Sequence, residues 1–432
     1  MKYFSLNHQA PFVDFSVATI QGQAPDKGLY FPETIPSLPK DFIDNIKQYH
    51  KTEIGVTVMQ PYVGNAMPLS VLEKMVDETV NFPFPLVSIT PSIAALELFH
   101  GPTLAFKDVG ARFMSRSLAY FNRLNNKPVT VLVATSGDTG GAVANGFLGV
   151  DGVEVIILFP KNKVSKVQEL QLTTLGSNIT ALEIEGNFDD CQAMVKEAFI
   201  DKDLKDTLTL TSANSINVAR WLPQQLYYFF AYQQWQQQTS PVIAVPSGNF
   251  GNICAAILAH QSGLPVQHFI ASCNANKAVT NYLHTGIYQA QHSVPTYSNA
   301  MDVGNPGNFI RILEIFDHSF QALKNKISSY SIDDATTIQT IQTVYQEYNY
   351  LLDPHGAVAF AALSQYLMQF PDHDGYIAAT AHPVKFPEVV EKTTGLQIPI
   401  PEAIRGLFTK EKISINMPAN FEALKEFLLN RK

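Results

Sequence analysis

Val133-Ala134-Thr135-Ser136-Gly137-Asp138-Thr139-Gly140 is an apolar run that breaks into a glycine-rich turn, and its pattern returns as Val245-Pro246-Ser247-Gly248-Asn249-Phe250-Gly251. Each copy reads as a strand, then Ser-Gly-Asp/Asn-x-Gly, then a helix rich in small residues. Such a turn aims several backbone N–H groups and the positive end of a helix dipole at one point. Glycine removes the Cβ that would hold an anion at a distance. One turn of this kind is an ordinary strand-to-helix connection. Two in one chain imply two anion sites, or two ends of one ligand.

Outward from these turns the chain alternates β-rich runs with helical patterns. Strands are expected at 129–135, 153–159, 179–185, 242–246, 269–272 and 376–380, with helices between most of them, for example at 165–175, 189–199 and 221–238. Short apolar strands separated by helices indicate parallel sheets with crossover helices, an α/β architecture. Residues 1–80 are more mixed, and the proline cluster Phe82-Pro83-Phe84-Pro85 reads as a linker. The expected division is therefore 1–82, 83–210 and 211–432, with one glycine turn in each of the last two segments.

A third feature lies between them. In His100-Gly101-Pro102-Thr103-Leu104-Ala105-Phe106-Lys107-Asp108, a lysine follows a Gly-Pro turn, and helical spacing of apolar residues begins with Phe106, Val109 and Phe113. A lysine at such an entrance, flanked by Phe106, is a candidate for a buried reactive amine. Burial lets an ammonium lose its proton below the usual value of about 10.4, which suits condensation with a carbonyl.

The whole chain narrows the field. Hydrophobic residues make up 46% and charged residues 16%, which reads as a core-rich globular protein. A net charge of −8 argues against a nucleic-acid groove or an anionic membrane as partner, but leaves room for an anionic small molecule. The 3 cysteines, Cys191, Cys254 and Cys273, are widely spaced and form no zinc pattern, so no metal site is expected and a reducing compartment is favoured. No signal-peptide core or long apolar span is visible, and the expected location is cytoplasmic.

Neither turn has the G-x-G-x-x-G spacing of a dinucleotide site, and no P-loop or G-x-S-x-G elbow occurs. One special lysine and two anion-binding turns match the needs of pyridoxal phosphate. Its aldehyde takes a lysine, its phosphate an N–H cup, and an amino-acid substrate brings a carboxylate for the second cup.

The segment from Phe99 to Asp108 closely resembles the cofactor-lysine motif of the threonine synthase family. Further matches are Gly28-Leu29-Tyr30-Phe31-Pro32, Thr135 to Gly140, Asn214-Ser215-Ile216-Asn217, Pro246 to Asn252, Asn305-Pro306-Gly307-Asn308-Phe309 and Thr380-Ala381-His382-Pro383. The resemblance implies an α/β, fold-type-II pyridoxal-phosphate enzyme, tryptophan synthase β-like, with two open parallel-sheet domains after an N-terminal segment. It implies that Lys107 carries the cofactor and acts in catalysis. Gly248, Asn249, Phe250, Gly251 and Asn252 would hold the cofactor phosphate, and Thr380 would face the pyridine nitrogen. Ser136, Gly137, Asp138 and Thr139 would contact the substrate. An anionic Asp138 would repel a carboxylate, so it is expected to orient the turn or accept a hydrogen bond.

The implied reaction converts O-phospho-L-homoserine and water to L-threonine and phosphate, the last step of threonine biosynthesis. Ser215, Asn217 and Arg220 are candidates for the substrate phosphate, with Lys163 and Arg112 next. The Asn-Ser-x-Asn pattern before Arg220 reads equally well as helix capping. His100 is expected to satisfy a backbone carbonyl, His355 to be structural, and His382 to shape the loop after Thr380. Two other readings stay open: a phospho-lyase or dehydratase on the same scaffold releasing 2-oxobutyrate, and a non-catalytic binding protein. The latter has no need of an amine at position 107.

Overall fold

Two large sheets organise the chain in a computed structural model that describes residues 1–125 and 128–431. In chain order the strands are β1 (Tyr3–Ser5), β2 (Tyr30–Pro32), β3 (Leu86–Ser88), β4 (Ile93–Glu97) and β5 (Val129–Ala134). There follow β6 (Val153–Pro160), β7 (Ile179–Glu185), β8 (Thr209–Ser212) and β9 (Val242–Pro246). The last are β10 (His268–Cys273), β11 (Ile327–Ser331), β12 (Gly375–Ala379) and β13 (Ile415–Pro418). The chain divides into two compact units, each discontinuous in sequence.

The first unit comprises Met1, residues 32–106 and residues 221–399. Its six-stranded sheet runs β11-β10-β9-β12-β4-β3. All neighbours are parallel except β3 and β4, which pair antiparallel at one edge, so this sheet is mixed where a parallel one was expected. A short β3–β4 link leaves no room for a crossover helix, and a parallel pair needs one. Strands β9 and β12 are buried along their whole length, which is why Val242-Ile243-Ala244-Val245 and Tyr376-Ile377-Ala378-Ala379 read as continuous apolar runs.

The second unit comprises residues 2–31, 107–220 and 400–432. Its five-stranded sheet, β13-β7-β6-β5-β8, is parallel throughout, and β1 and β2 form a separate two-stranded sheet. The C-terminal segment completes this unit's core: Met417 on β13 and Leu424 and Leu428 on the helix Phe421–Asn430 pack with Leu182, Ile184, Met194 and Leu204. Burying a leucine side chain contributes roughly 1.5–3 kcal/mol, so the tail stabilises a sheet lying more than two hundred residues earlier in the chain. Neither unit coincides with one continuous stretch such as 83–210 or 211–432.

The strand orders carry a functional consequence. In the second unit the chain steps from β5 to β6 to β7 in one direction, then returns to place β8 on the other side of β5. In the first it steps from β9 to β10 to β11, then places β12 on the other side of β9. Ligands in open α/β sheets bind beyond the strand carboxyl ends at such reversals. Both glycine turns follow the strand at a reversal, β5 in one unit and β9 in the other.

The expected helix over 221–238 is broken. A turn of helix at Val218–Trp221 passes into a 3₁₀ segment, Leu222–Gln225, before the α-helix Leu226–Gln234. Pro223 has no N–H for an α-helical bond and tightens the chain instead.

Candidate active site

In the second unit the turn after β5 is tied by one hydroxyl. Thr135 Oγ1 accepts from Gly137 N at 2.9 Å and from Gly140 N at 2.8 Å. Gly137 sits at φ 132°, ψ −79°, in a region that side chains rarely enter, and a Cβ there would lie 2.3 Å from Gln168 Cδ. The helix Asp138–Phe147 starts at this glycine, which has no side chain to cap it, so Thr135 serves its first turn instead. Asp138 is 4% exposed, with its two carboxylate oxygens differently engaged: Oδ1 accepts from Gln168 Nε2 at 3.0 Å, and Oδ2 lies 3.5 Å from Lys107 Nζ. Lys107 opens the helix Lys107–Asn125 and keeps 16% of its side chain exposed, so the amine is sheltered yet reachable. Ser136 and Thr139 are half-buried.

Beyond β8 in the same unit, Asn217 is fully buried and its amide is used at both ends. Its Nδ2 donates to Thr19 O at 2.8 Å and its Oδ1 accepts from Ala219 N at 3.0 Å. That makes it a tether and cap, the second of the two readings its motif allowed. Ser215 is half-buried and Arg220 buried; Gly110 is required opposite Arg220, because a Cβ there would lie 2.5 Å from its carbonyl oxygen. Lys163 is exposed and Arg112 half-buried.

In the first unit, Phe250 takes a left-handed conformation, φ 61°, immediately before the helix Gly251–Gln261, whose start carries no side-chain cap. Asn252 Oδ1 accepts from Tyr228 Oη at 2.6 Å, while its Nδ2 is buried with no hydrogen-bond partner among the described residues. An uncapped helix start beside an unsatisfied buried amide is where an anionic oxygen belongs, so the loop Gly248, Asn249, Phe250, Gly251 and Asn252 fits a phosphate. Gly248 is packed against the chain at Ala300 and Met301; a Cβ there would lie 2.6 Å from Met301 Cα.

Thr380 is the first residue beyond β12 and is buried. Its carbonyl accepts from Phe106 N at 2.9 Å, and Ala105 and Ala381 form an isolated bridge. The strand end bearing Thr380 is thus stitched to the two residues that precede Lys107. Leu104 in this stretch has φ 57°, an uncommon backbone for leucine, held by His382 N donating to its carbonyl. Tyr227 Oη donates to Phe106 O, and Lys385, fully buried, donates its Nζ to Thr103 O at 3.0 Å. Sequence reasoning missed Gln168, Tyr227 and Lys385 as supports. The sole signal was Lys385 standing between Val384 and Phe386, where an unpaired cation is out of place.

The histidines are distinct. His100 Nε2 lies 2.6 Å from Glu97 Oε2, correcting the expectation that it meets a backbone carbonyl, and Tyr350 Oη donates to the other Glu97 oxygen at 3.0 Å. His355 Nδ1 lies 2.6 Å from Asp353 Oδ2, and its Nε2 accepts from Ala300 N at 3.2 Å. His382 Nδ1 accepts from Val384 N, and burial pushes its pKa down to about 4, so it stays neutral and holds its turn.

Comparison with known proteins follows this geometry. A family model for pyridoxal-phosphate dependent enzymes matches residues 90–377. Those for the threonine synthase N terminus and the threonine synthase C-terminal region match residues 2–80 and 356–428. The chain is 41% identical over 434 residues to threonine synthase of Escherichia coli strain K12, covering 100% of each. It is 42% identical over 431 residues to that of Serratia marcescens, covering 99% of each. The crystal structure of the Escherichia coli enzyme superposes with a TM-score of 0.93 at 40% identity, covering 100% of both chains. Threonine synthase of Brucella melitensis with pyridoxal phosphate bound gives 0.92 at 34% identity, covering 99% of this chain and 98% of that one. Likeness of this extent, in sequence and in fold, leaves one conclusion: the chain belongs to the threonine synthase family of pyridoxal-phosphate-dependent enzymes.

Proposed function

We propose that this chain converts O-phospho-L-homoserine and water to L-threonine and phosphate, with Lys107 as its proton carrier. The observation that carries the reading is the sheltered Lys107 amine, held 3.5 Å from Asp138 at the entrance of the glycine turn. Pyridoxal phosphate, when bound, supplies an electron sink for negative charge developing on the substrate's carbons. Lys107 then takes a proton at Cα and moves protons at Cβ as the γ-phosphate leaves and water adds at Cβ. Asp138 aims the amine, and Gln168 fixes Asp138 from the opposite side.

Ser136 and Thr139 supply hydroxyl and N–H donors for the substrate carboxylate, and Gly137, whose own N–H is held by Thr135, lets the turn come close to it. Gly248, Asn249, Phe250, Gly251 and Asn252 hold the cofactor phosphate. Arg220 and Ser215 hold the substrate's phosphate, while Asn217 keeps their turn in place. In this division residues 83–210 bring the lysine and 211–432 the cofactor-phosphate loop. The cytoplasm is the proposed location, in keeping with three cysteines that are all unpaired and buried. Among the described residues no helix is long and apolar enough to cross a membrane.

The products decide between this reaction and its alternative. Purified protein supplied with O-phospho-L-homoserine is expected to release threonine and phosphate in equal amounts. Release of 2-oxobutyrate and ammonia in place of threonine would make the chain a phospho-lyase.

Two substitutions test the residue roles. Arg220→Ala removes a charge-assisted contact worth roughly 1.5–3 kcal/mol and should raise the substrate constant about 10–150-fold, with inhibition by free phosphate weakened in step. An unchanged phosphate inhibition constant moves the site to Arg112 or Lys163. Thr380→Val keeps the shape of the side chain but removes its hydroxyl from the pyridine nitrogen. It should retain cofactor and lower kcat by about 10-fold, the equivalent of one hydrogen bond. Thr380→Asp should raise the nitrogen's pKa, since a nearby anion favours its protonated form. A cofactor spectrum that responds to pH identically in wild type and Thr380→Asp refutes the contact.

A further inference from the structure

The segment Asn305-Pro306-Gly307-Asn308-Phe309 closes onto the loop proposed to hold the cofactor phosphate. Gly307 N donates to Asn249 Oδ1 at 2.6 Å. Asn308 gives two donors to Asn249 O, its backbone N at 3.3 Å and its Nδ2 at 3.1 Å. The other end of the Asn308 amide is also fixed, since Oδ1 accepts from Arg311 Nη1 at 2.7 Å. Arg311 is 0% exposed, and its guanidinium lies 4.3 Å above the ring of Trp221.

Burying a guanidinium is costly, and this one feels it: desolvation lowers the pKa of Arg311 to about 10, which still leaves it charged at neutral pH. The Trp221 face returns part of that cost as a cation–π contact. A planar, permanently charged donor is suited to fixing an amide in one orientation. With Arg311 on its Oδ1, Asn308 must present Nδ2 to Asn249, whose carbonyl takes both Asn308 donors.

We infer that Arg311 is a positioning residue. Acting through Asn308, it sets the loop around Asn249 in the shape that distinguishes a phosphorylated cofactor from its dephosphorylated form. The inference rests on the reading of residues 248–252 as the cofactor-phosphate loop. It predicts an effect centred on the phosphate end of the ligand, because the contact chain from Arg311 runs through Asn308 to Asn249 of that loop.

The test is equilibrium titration of the full-length protein, stripped of cofactor, with pyridoxal phosphate and separately with pyridoxal, read by the visible absorbance of the bound form. Wild type is expected to prefer pyridoxal phosphate strongly. Arg311→Met and Asn308→Ala should each weaken pyridoxal phosphate by about 10-fold or more while leaving pyridoxal within about twofold, and Arg311→Lys should recover part of the loss. Should Arg311→Met fail to fold, Asn308→Ala carries the test, since Arg311 keeps its place on Trp221. Equal losses for both ligands, or no loss for either, would reduce Arg311 to a core residue and overturn the inference. A wild type with no preference between the ligands would instead overturn the loop reading itself, and the inference with it.

Discussion

Lys107→Ala is expected to lower turnover by at least ~10³-fold while leaving the fold in place. On the proposed roles, two functions leave with the side chain: the covalent attachment of cofactor and the base that moves protons at Cα and Cβ. Lys107 is suited to both by position. It opens a helix rather than lying within one, so its backbone packing does not depend on the amine, and the Asp138 it pairs with retains Gln168 as a donor. Thermal unfolding of the variant separates loss of chemistry from loss of structure. Turnover close to wild type from a folded Lys107→Ala protein would remove the lysine from the mechanism.

Gly251→Val is expected to weaken cofactor retention by about 10²–10⁴-fold, the equivalent of two charge-assisted hydrogen bonds. Gly251 is the first residue of a helix whose start carries no side-chain cap, and a β-branched residue there would stand in the path of a phosphate held as proposed. Gly248→Ala should behave similarly by another route. Its Cβ would meet Met301 Cα at 2.6 Å and Ala300 O at 2.8 Å, both backbone atoms that cannot swing aside. The Ala300 segment is itself held by the buried His355–Asp353 pair, so relaxation there is also restricted. Equilibrium dialysis of the cofactor measures the effect, with melting temperature as the control. A folded Gly251→Val protein that binds cofactor as wild type does would mean that the phosphate sits elsewhere.

How much of this was legible in the sequence depends on how local the cause was. Strands β7 and β9 could be bounded to the residue, because buried parallel strands are short apolar runs flanked by turn residues. The helix start at Phe188 was nearly as plain, as Asn187 and Asp190 form a capping box. Strand β13 was invisible: of Ile415, Asn416, Met417 and Pro418 only Met417 is buried, and the strand exists because β7 offers an edge to pair with. The discontinuous units were equally hidden, since no local pattern indicates that residues 400–432 pack with residues 107–220.

The candidate site divides in the same way. Lys107 and the two turns announce themselves by composition and spacing. Of the residues that hold them, Gln168 against Asp138 and Arg311 behind Asn308 carry no motif of their own, while Asn308 stands in the motif at 305–309 with no local sign that its partner is Asn249. Asn217 is the converse case: its motif read equally as substrate contact or helix cap, and its amide is a buried tether between Thr19 and Ala219.

The central claim, that Lys107 carries the cofactor on which the chemistry depends, is tested most directly by reducing the purified protein with borohydride and mapping its peptides by mass. The account predicts cofactor mass fixed on the peptide containing Lys107, with the visible absorbance lost in proportion. Cofactor fixed to another lysine, with the Lys107 peptide unmodified, would contradict it.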